Sequence, residues 1–140
     1  RYMSRISGPL LDRIDIHIEV PAVSFQELAD KEEGEPSIDI QGRVQKAREV
    51  QLSRFKKSGN LFANAQMESQ DLKTHCGLDN ESSELLRTAM DKLGLSARAY
   101  DRILKVSRTI ADLDGKIKID SGHISEAIQY RSLDRQLWLG

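Results

Sequence analysis

The chain has 140 residues, with 21 lysines and arginines against 22 aspartates and glutamates, so its formal net charge is −1. This excludes an overall field that would draw the whole surface to nucleic acid or to an anionic membrane, and such binding would need a local patch. No apolar run approaches the roughly 18 residues of a membrane-spanning helix, so we expect no membrane contact. The single cysteine, Cys76, excludes an internal disulfide, which fits the cytoplasm.

The first patterned stretch is SGPLLDRIDIHIEV, residues 7–20. Pro9 predicts a short helix that continues to Arg13, because a proline in the first helical turn costs no hydrogen bond. From Ile14 to Val20 apolar and polar residues alternate, which predicts a strand with one buried face. A lone strand leaves its backbone groups unpaired, so we expect its partner strands outside this chain.

The next segment is a charged stretch, Asp30 to Pro36, which follows a short helix with Ser24 as its expected cap. Gly34 and Pro36 interrupt any regular element there, so the stretch predicts a loop and a plausible hinge. Beyond it every patterned segment has helical spacing. The predicted helices cover residues 37–57, 69–75, 80–93, 96–113 and 120 onward. The predicted fold class is therefore mainly α, a helical bundle preceded by a helix-strand remnant, with the helix over 96–113 at its centre.

No complete catalytic motif occurs in the chain. The patterns GxxxxGK[ST], GxSxG and HExxH are all missing from it. Its three histidines lack the spacing of metal ligands, so we predict no metal site. The adjacent pair of His75 and Cys76 is interpreted as core packing, because neighbouring residues do not easily turn both side chains onto one target.

Arg13 lies at the joint between the predicted short helix and the predicted strand. Its planar guanidinium offers a fork of donors that suits phosphate oxygens. At such a corner the side chain could face a neighbouring domain or subunit. The alternative is a salt bridge with Asp12 or Asp15.

Arg98 comes two residues after Ser96, the expected cap of the central helix. The helix dipole disfavours a cation at this end, whereas the exposed N–H groups attract anions. A phosphate beside Arg98 would therefore be physically sensible. The alternative is a plain solvated arginine.

A basic stripe lies on one face of the first long helix. Its members are Arg43, Lys46, Arg54 and Lys57. Such a stripe could make contacts with DNA or with phosphate along a nucleic-acid backbone. No aromatic residue is interleaved with it for base stacking, so a solvated face is the alternative.

Four segments together resemble the magnesium-chelatase-like AAA+ ATPases, and specifically their bacterial competence-related branch. The similarity is carried by ISGPLLDRIDIHIEVP (6–21), IDIQGRVQKAREVQLSRF (38–55), LSARAYDRILKVSRTIADLDG (95–115) and HISEAIQYR (123–131). The resemblance implies that Arg13 is the arginine finger, which reaches the ATP bound by a neighbouring subunit. It also implies that Arg98 is the sensor-2 arginine, which contacts the γ-phosphate.

The same resemblance implies a domain division. Residues 1–30 would be the C-terminal edge of the nucleotide-binding core, residues 31–36 the linker and residues 37–140 the helical lid. The family's phosphate loop and magnesium-coordinating motif would precede Arg1, which is not a methionine, so we expect a segment of a longer protein. The whole protein would use ATP with Mg²⁺. The segment alone is expected to hold no cofactor and to be inactive as an ATPase.

The implied function is that of a cytoplasmic, ring-forming ATPase, with six subunits as the expected ring. It would act on DNA like a helicase, in branch migration during recombination in transformation. Its partners would be its own upstream core, further copies of itself and DNA. Two alternatives stay open: a magnesium chelatase ATPase subunit that inserts metal into a porphyrin, and a stand-alone helical DNA-binding module.

Overall fold

The computed structural model describes residues 3–30 and 32–131, and this part of the chain contains seven α-helices. They are α1 (Gly8–Arg13), α2 (Phe25–Ala29), α3 (Ser37–Arg54), α4 (Ser69–His75), α5 (Asn80–Leu93), α6 (Ala97–Leu113) and α7 (Ser121–Gln129). Two 3-10 turns accompany them, Met3–Arg5 and Asn64–Gln66. The mainly helical fold class is confirmed. Residue 31 of the predicted linker and residues 132–140 of the predicted lid lie outside the described residues.

Three of the predicted caps fix the starts of their helices. Ser24, Ser96 and Asp120 each accept a hydrogen bond from the backbone N–H three residues later, at 3.3, 3.1 and 3.1 Å. Each of these bonds satisfies one of the N–H groups that a helix start leaves without a partner. Gly94 follows α5 with a φ of 60°, a left-handed conformation that suits glycine and ends the helix.

The bounds of α3 differ from the prediction at both ends. Ser37 is its first residue and does not cap it, because Pro36 takes the cap position without a side-chain hydrogen bond. The helix ends at Arg54, so Lys57, the predicted last residue, lies in a turn. Phe55, which follows the helix as its C-cap, is 1% exposed and belongs to the buried apolar cluster.

The prediction that α6 is central is confirmed. Ala99, Ile103 and Ala111 have no exposed surface, and α6 packs against α1, α3, α4 and α7. Burial of a large apolar side chain contributes roughly 1.5–3 kcal/mol, so this helix organises the core. The buried apolar cluster around it consists of Phe55, Met67, Leu72, Cys76, Leu86, Ile103, Leu104, Val106, Ala111, Ile119, Ile124 and Ala127.

The strand predicted over residues 14–20 is not formed in the described part of the chain. A strand needs a partner ladder, and no described segment supplies one. The expected burial is also reversed. The side chains of Ile14, Ile16, Ile18 and Val20 are exposed, and that of His17 is buried. The His17 N–H donates to the carbonyl oxygen of Tyr130 at 2.6 Å, so this segment is attached to the end of α7.

Candidate functional site

Arg13 is the last residue of α1, and its side chain is exposed. It makes no ion pair with any residue that the structure describes. The predicted alternative, a salt bridge to a neighbouring carboxylate, is not formed, because both carboxylates face α6. Ser96 Oγ donates to Asp12 Oδ2 at 3.3 Å, and Arg102 Nη1 lies 2.9 Å from Asp15 Oδ1. The Arg13 guanidinium is therefore open to a group from outside.

The backbone on both sides of Arg13 is held by a second, buried arginine. Arg131 is 1% exposed and donates to the carbonyl oxygen of Ile14, with a longer contact of 3.5 Å to that of Leu11. Carbonyl groups at a helix C-terminus carry partial negative charge, so a cation is favourable there. The backbone at the end of α1, which carries Arg13, is therefore held in place by hydrogen bonds from Arg131.

Arg98 is the second residue of α6, and its side chain is exposed. Within residues 3–30 and 32–131 it has no ion-pair partner. The Ser96 cap takes only the N–H of Ala99, so the first turn keeps N–H groups that no carbonyl of the helix can accept. This end of α6 therefore offers a guanidinium and backbone donors together, which suits an anion.

The two arginines lie on adjoining elements, although they are far apart in the sequence. The hydrogen bond between Ser96 and Asp12 joins the residue before Arg13 to the cap of the helix that carries Arg98. The structure thus places the two residues that the sequence had singled out independently on two helices that pack against each other.

The basic stripe is only partly exposed. Lys46 and Lys57 are exposed, whereas the Arg43 guanidinium is shared with Glu35, with Nη2 3.0 Å from Oε2. The side chain of Arg54 is 14% exposed and points into the protein instead. The stripe that faces solvent therefore consists of Arg43, Lys46 and Lys57.

Arg54 belongs to a buried polar network that sequence reasoning missed. Its Nη1 donates to Asn64 Oδ1 at 2.9 Å and to Asp112 Oδ2 at 2.8 Å, and its Nη2 donates to Asp112 Oδ1 at 2.5 Å. Arg108 Nη2 lies 3.2 Å from the same Oδ1, and its guanidinium also donates to the carbonyls of residues 116 and 117. One sequence feature could have indicated this network. Arg108 and Asp112 are four residues apart beside the apolar face of α6, a spacing at which oppositely charged side chains pair on a helix.

Electrostatics around this network argue against thiol chemistry. Burial raises the pKa of the Cys76 thiol to about 11, so the thiol stays protonated. Burial and then the charge of Arg54 lower the pKa of His75. The Arg108 pKa is lowered by burial, against the opposing effect of Asp112. Cys76 is buried and His75 is half-buried, so the core-packing interpretation holds for the cysteine.

Among the residues that the structure describes, no three histidine, cysteine, aspartate or glutamate side chains converge as a metal site. None of the described helices is both long enough and apolar enough to cross a bilayer.

Comparison with known proteins gives two family matches and several relatives. The family model of the magnesium chelatase subunit ChlI C-terminal region matches residues 34–131, and that of the magnesium chelatase subunit ChlI matches residues 1–28. The competence protein ComM of Haemophilus influenzae is 45% identical over 140 residues, which cover 98% of this chain and 26% of ComM. Protein YifB of Escherichia coli is 41% identical over 138 residues, with coverages of 98% and 26%.

A more distant relative is Rv2897c of Mycobacterium tuberculosis, which is 30% identical over 131 residues, 94% of this chain and 26% of that protein. The chain thus spans about a quarter of the length of these relatives. The predicted similarity to magnesium-chelatase-like AAA+ ATPases and their competence-related branch is confirmed. Because the C-terminal model covers more than half of its residues, this chain belongs to the magnesium chelatase subunit ChlI family.

Proposed function

We propose that this chain is the C-terminal part of a ring-forming AAA+ ATPase and that it supplies two arginines to ATP hydrolysis. Arg13 is the finger that reaches the nucleotide held by a neighbouring subunit. Arg98 is the sensor-2 residue that contacts the γ-phosphate. Both guanidinium groups would stabilise negative charge on the phosphoryl group during transfer, which is how such arginines accelerate the reaction.

One observation carries this proposal. The guanidinium groups of Arg13 and Arg98 are exposed and make no ion pair with a described residue, although Asp12 and Asp15 flank Arg13 in the sequence. Asp12 and Asp15, which could have neutralised Arg13, face Ser96 and Arg102. The mostly buried Arg54 is paired, as buried arginines normally are, whereas Arg13 and Arg98 keep their donors available for a group from outside.

The packing of α1 on α6 supports a more specific version of the proposal. The two arginines extend from adjoining elements of one subunit, so they can reach the same triphosphate. If Arg13 serves the nucleotide of a neighbour, Arg98 then serves that nucleotide as well. Each ATP would be held by one subunit and gripped by two arginines of the next.

The domain division supports the same proposal. Residues 1–30 form the edge of the nucleotide-binding core, residues 31–36 the linker and residues 37–140 the lid. The two family models cover residues 1–28 and 34–131, so the gap between them, residues 29–33, overlaps the first part of this linker. The rest of the core, the phosphate loop and the ligands of the Mg²⁺ that accompanies ATP would come from the longer protein. Its copies would assemble into a ring of six.

DNA is the proposed polymer on which this motor acts, in branch migration during recombination of incoming DNA. The support is that the relative ComM is named a competence protein and that Arg43, Lys46 and Lys57 leave a basic face open on and beside α3. Basic side chains on a helix face can follow a phosphate backbone without reading its sequence.

The names of both family models favour a second candidate, a magnesium chelatase ATPase subunit. The two candidates differ in what stimulates ATP turnover: DNA for the recombination motor, and the porphyrin-binding partner subunits for the chelatase.

The stand-alone DNA-binding module has less support. Helix α7 would be its recognition helix, yet residues Ser121–Gln129 contain no lysine or arginine, and His123, Ile124 and Ala127 are buried.

The proposal is tested by ATP turnover and nucleotide affinity in the longer protein. Replacing an arginine finger typically lowers turnover by about 10³-fold or more, so Arg13→Ala should nearly abolish hydrolysis and leave ATP binding intact. Arg98→Ala should impair hydrolysis and weaken ATP binding moderately. Unchanged turnover in both variants would overturn the proposed roles.

A further inference from the structure

We propose that Arg102 is a positioning residue for Arg13 and that it acts through Asp15. This inference rests on the proposed role of Arg13 in ATP hydrolysis. Arg102 lies on α6 one turn beyond Arg98, and Asp15 lies two residues beyond Arg13. The ion pair between Arg102 Nη1 and Asp15 Oδ1, at 2.9 Å, therefore connects the two proposed arginine sites.

The environment of Asp15 makes this pair more than a surface contact. Its side chain as a whole is 41% exposed, but Oδ1 has almost no solvent access and no well-aligned hydrogen bond with a described residue. The charge of Arg102 is what compensates this buried oxygen. Without it the carboxylate would turn toward water, because an uncompensated buried charge is costly, and the backbone beside Arg13 would move with it.

A second contact holds the other side of Arg13. Asp12 accepts a hydrogen bond from Ser96, which also caps α6. The residues before and after Arg13 are thus attached to α6 before and after Arg98. These attachments connect residues 12–15 directly to α6 without involving the predicted hinge over residues 31–36. The segment that carries Arg13 and the first turns of α6 therefore form one unit.

This unit is important for catalysis because Arg13 sits at the end of a helix of only six residues, followed by an irregular segment. A displacement of about 1 Å in a group that contacts the transition state can cost roughly 100-fold in rate. Arg102 would limit that displacement without touching the nucleotide. Its loss should therefore lower kcat and leave the KM for ATP nearly unchanged.

The experiment uses the full-length ATPase and steady-state ATP turnover. We expect Arg102→Ala and Asp15→Asn each to lower kcat by about tenfold, with a KM for ATP within about twofold of the wild type. The reversed pair, Asp15→Arg with Arg102→Asp, should recover a large part of the loss. Arg87→Ala is the matched control, since that arginine pairs with Glu84 on the surface and should leave turnover unchanged.

A double-mutant cycle separates positioning from general damage. If Arg102 acts only through Arg13, then Arg102→Ala should cause no further loss in a protein that already carries Arg13→Ala. An additive loss, a fully active Arg102→Ala variant or a failure of the reversed pair would each overturn the inference. Asp15→Asn repeats the test with a nearly isosteric change should Arg102→Ala not fold. If Arg13→Ala by itself leaves turnover intact, the proposed function fails. That result can be told apart from the three outcomes that would overturn only the role of Arg102.

Discussion

Arg54 and Asp112 form a two-point ion pair inside the lid, with Nη1 2.8 Å from Oδ2 and Nη2 2.5 Å from Oδ1. The Asp112 side chain has no exposed surface. Paired hydrogen bonds between a guanidinium and a carboxylate fix both partners in distance and in angle. We infer that this pair sets how α3 lies on α6, in addition to the apolar contacts between the two helices.

The stability of the lid should depend strongly on Asp112. Asp112→Ala leaves Arg54 and Arg108 buried without their carboxylate, so the free energy of unfolding should fall by about 3 kcal/mol. Urea denaturation of the 140-residue chain, followed by circular dichroism, measures this change. The matched control is Glu84→Ala, which breaks an exposed pair and should cost less than about 0.5 kcal/mol. Equal stability of the two variants would contradict the role of the network.

The buried Arg131 should hold the segment around Arg13 to the helical bundle. Arg131→Met removes the donor to the carbonyl oxygen of Ile14 and should lower the free energy of unfolding by about 2 kcal/mol. Hydrogen exchange gives the sharper measurement. The N–H of His17, which donates to Tyr130, should exchange faster in the variant. Lys118→Met, at an exposed position, is the control and should not change it; unchanged protection of His17 in Arg131→Met would exclude this anchoring role.

Cys76 should make the chain less stable at alkaline pH. Burial raises its pKa from the ordinary value of 9.0 to about 11, so the folded state retains a proton that the unfolded state releases. The thiol therefore contributes its stability fully below pH 9.0 and loses it as the pH rises toward about 11. The loss should approach roughly 1 kcal/mol per pH unit in that window. Comparing the wild type with Cys76→Ala isolates this slope, and parallel pH profiles would refute the assignment.

The exposed basic stripe should contribute to DNA affinity in the longer protein. If Lys46 contacts phosphate, Lys46→Ala should weaken binding uniformly across sequences and reduce the slope of log affinity against log salt by about one. Fluorescence anisotropy over a series of salt concentrations measures that slope. Lys92→Ala, an exposed lysine in the last turn of α5, serves as the control. Identical slopes for the two variants would remove Lys46 from the proposed DNA contact.

The helical bundle was predictable because it depends on local signals. Apolar residues at helical spacing identified α6, and short polar residues such as Ser96 and Asp120 identified helix starts through a bond to a backbone group three residues away. Gly94 identified a helix end in the same local way. Each of these predictions, of a helix, a helix start or a helix end, depends on residues that are close together in the sequence.

The site was less predictable because its contacts are distant in the sequence. Spacing placed Arg54 correctly on one side of α3, but its partner Asp112 comes 58 residues later and is positioned only by the packing of α3 on α6. Two adjacent carboxylates favoured a salt bridge for Arg13 until Ser96 and Arg102 of α6 engaged both of them. The strand predicted over residues 14–20 is missing from the described chain for the same reason. Alternation of apolar and polar residues is a local pattern, whereas a strand also needs a second strand to pair with.

The most direct test of the central proposal uses mixed rings of the longer protein. One subunit carries both Arg13→Ala and Arg98→Ala, and the other keeps both arginines but has an inactivated phosphate loop. Neither hydrolyses ATP alone. If both arginines serve the nucleotide of a neighbour, random one-to-one mixing makes about one interface in four complete, so turnover should rise to about a quarter of the wild-type rate. Turnover that stays at the level of the separate variants, in rings shown to have mixed, would contradict the proposal.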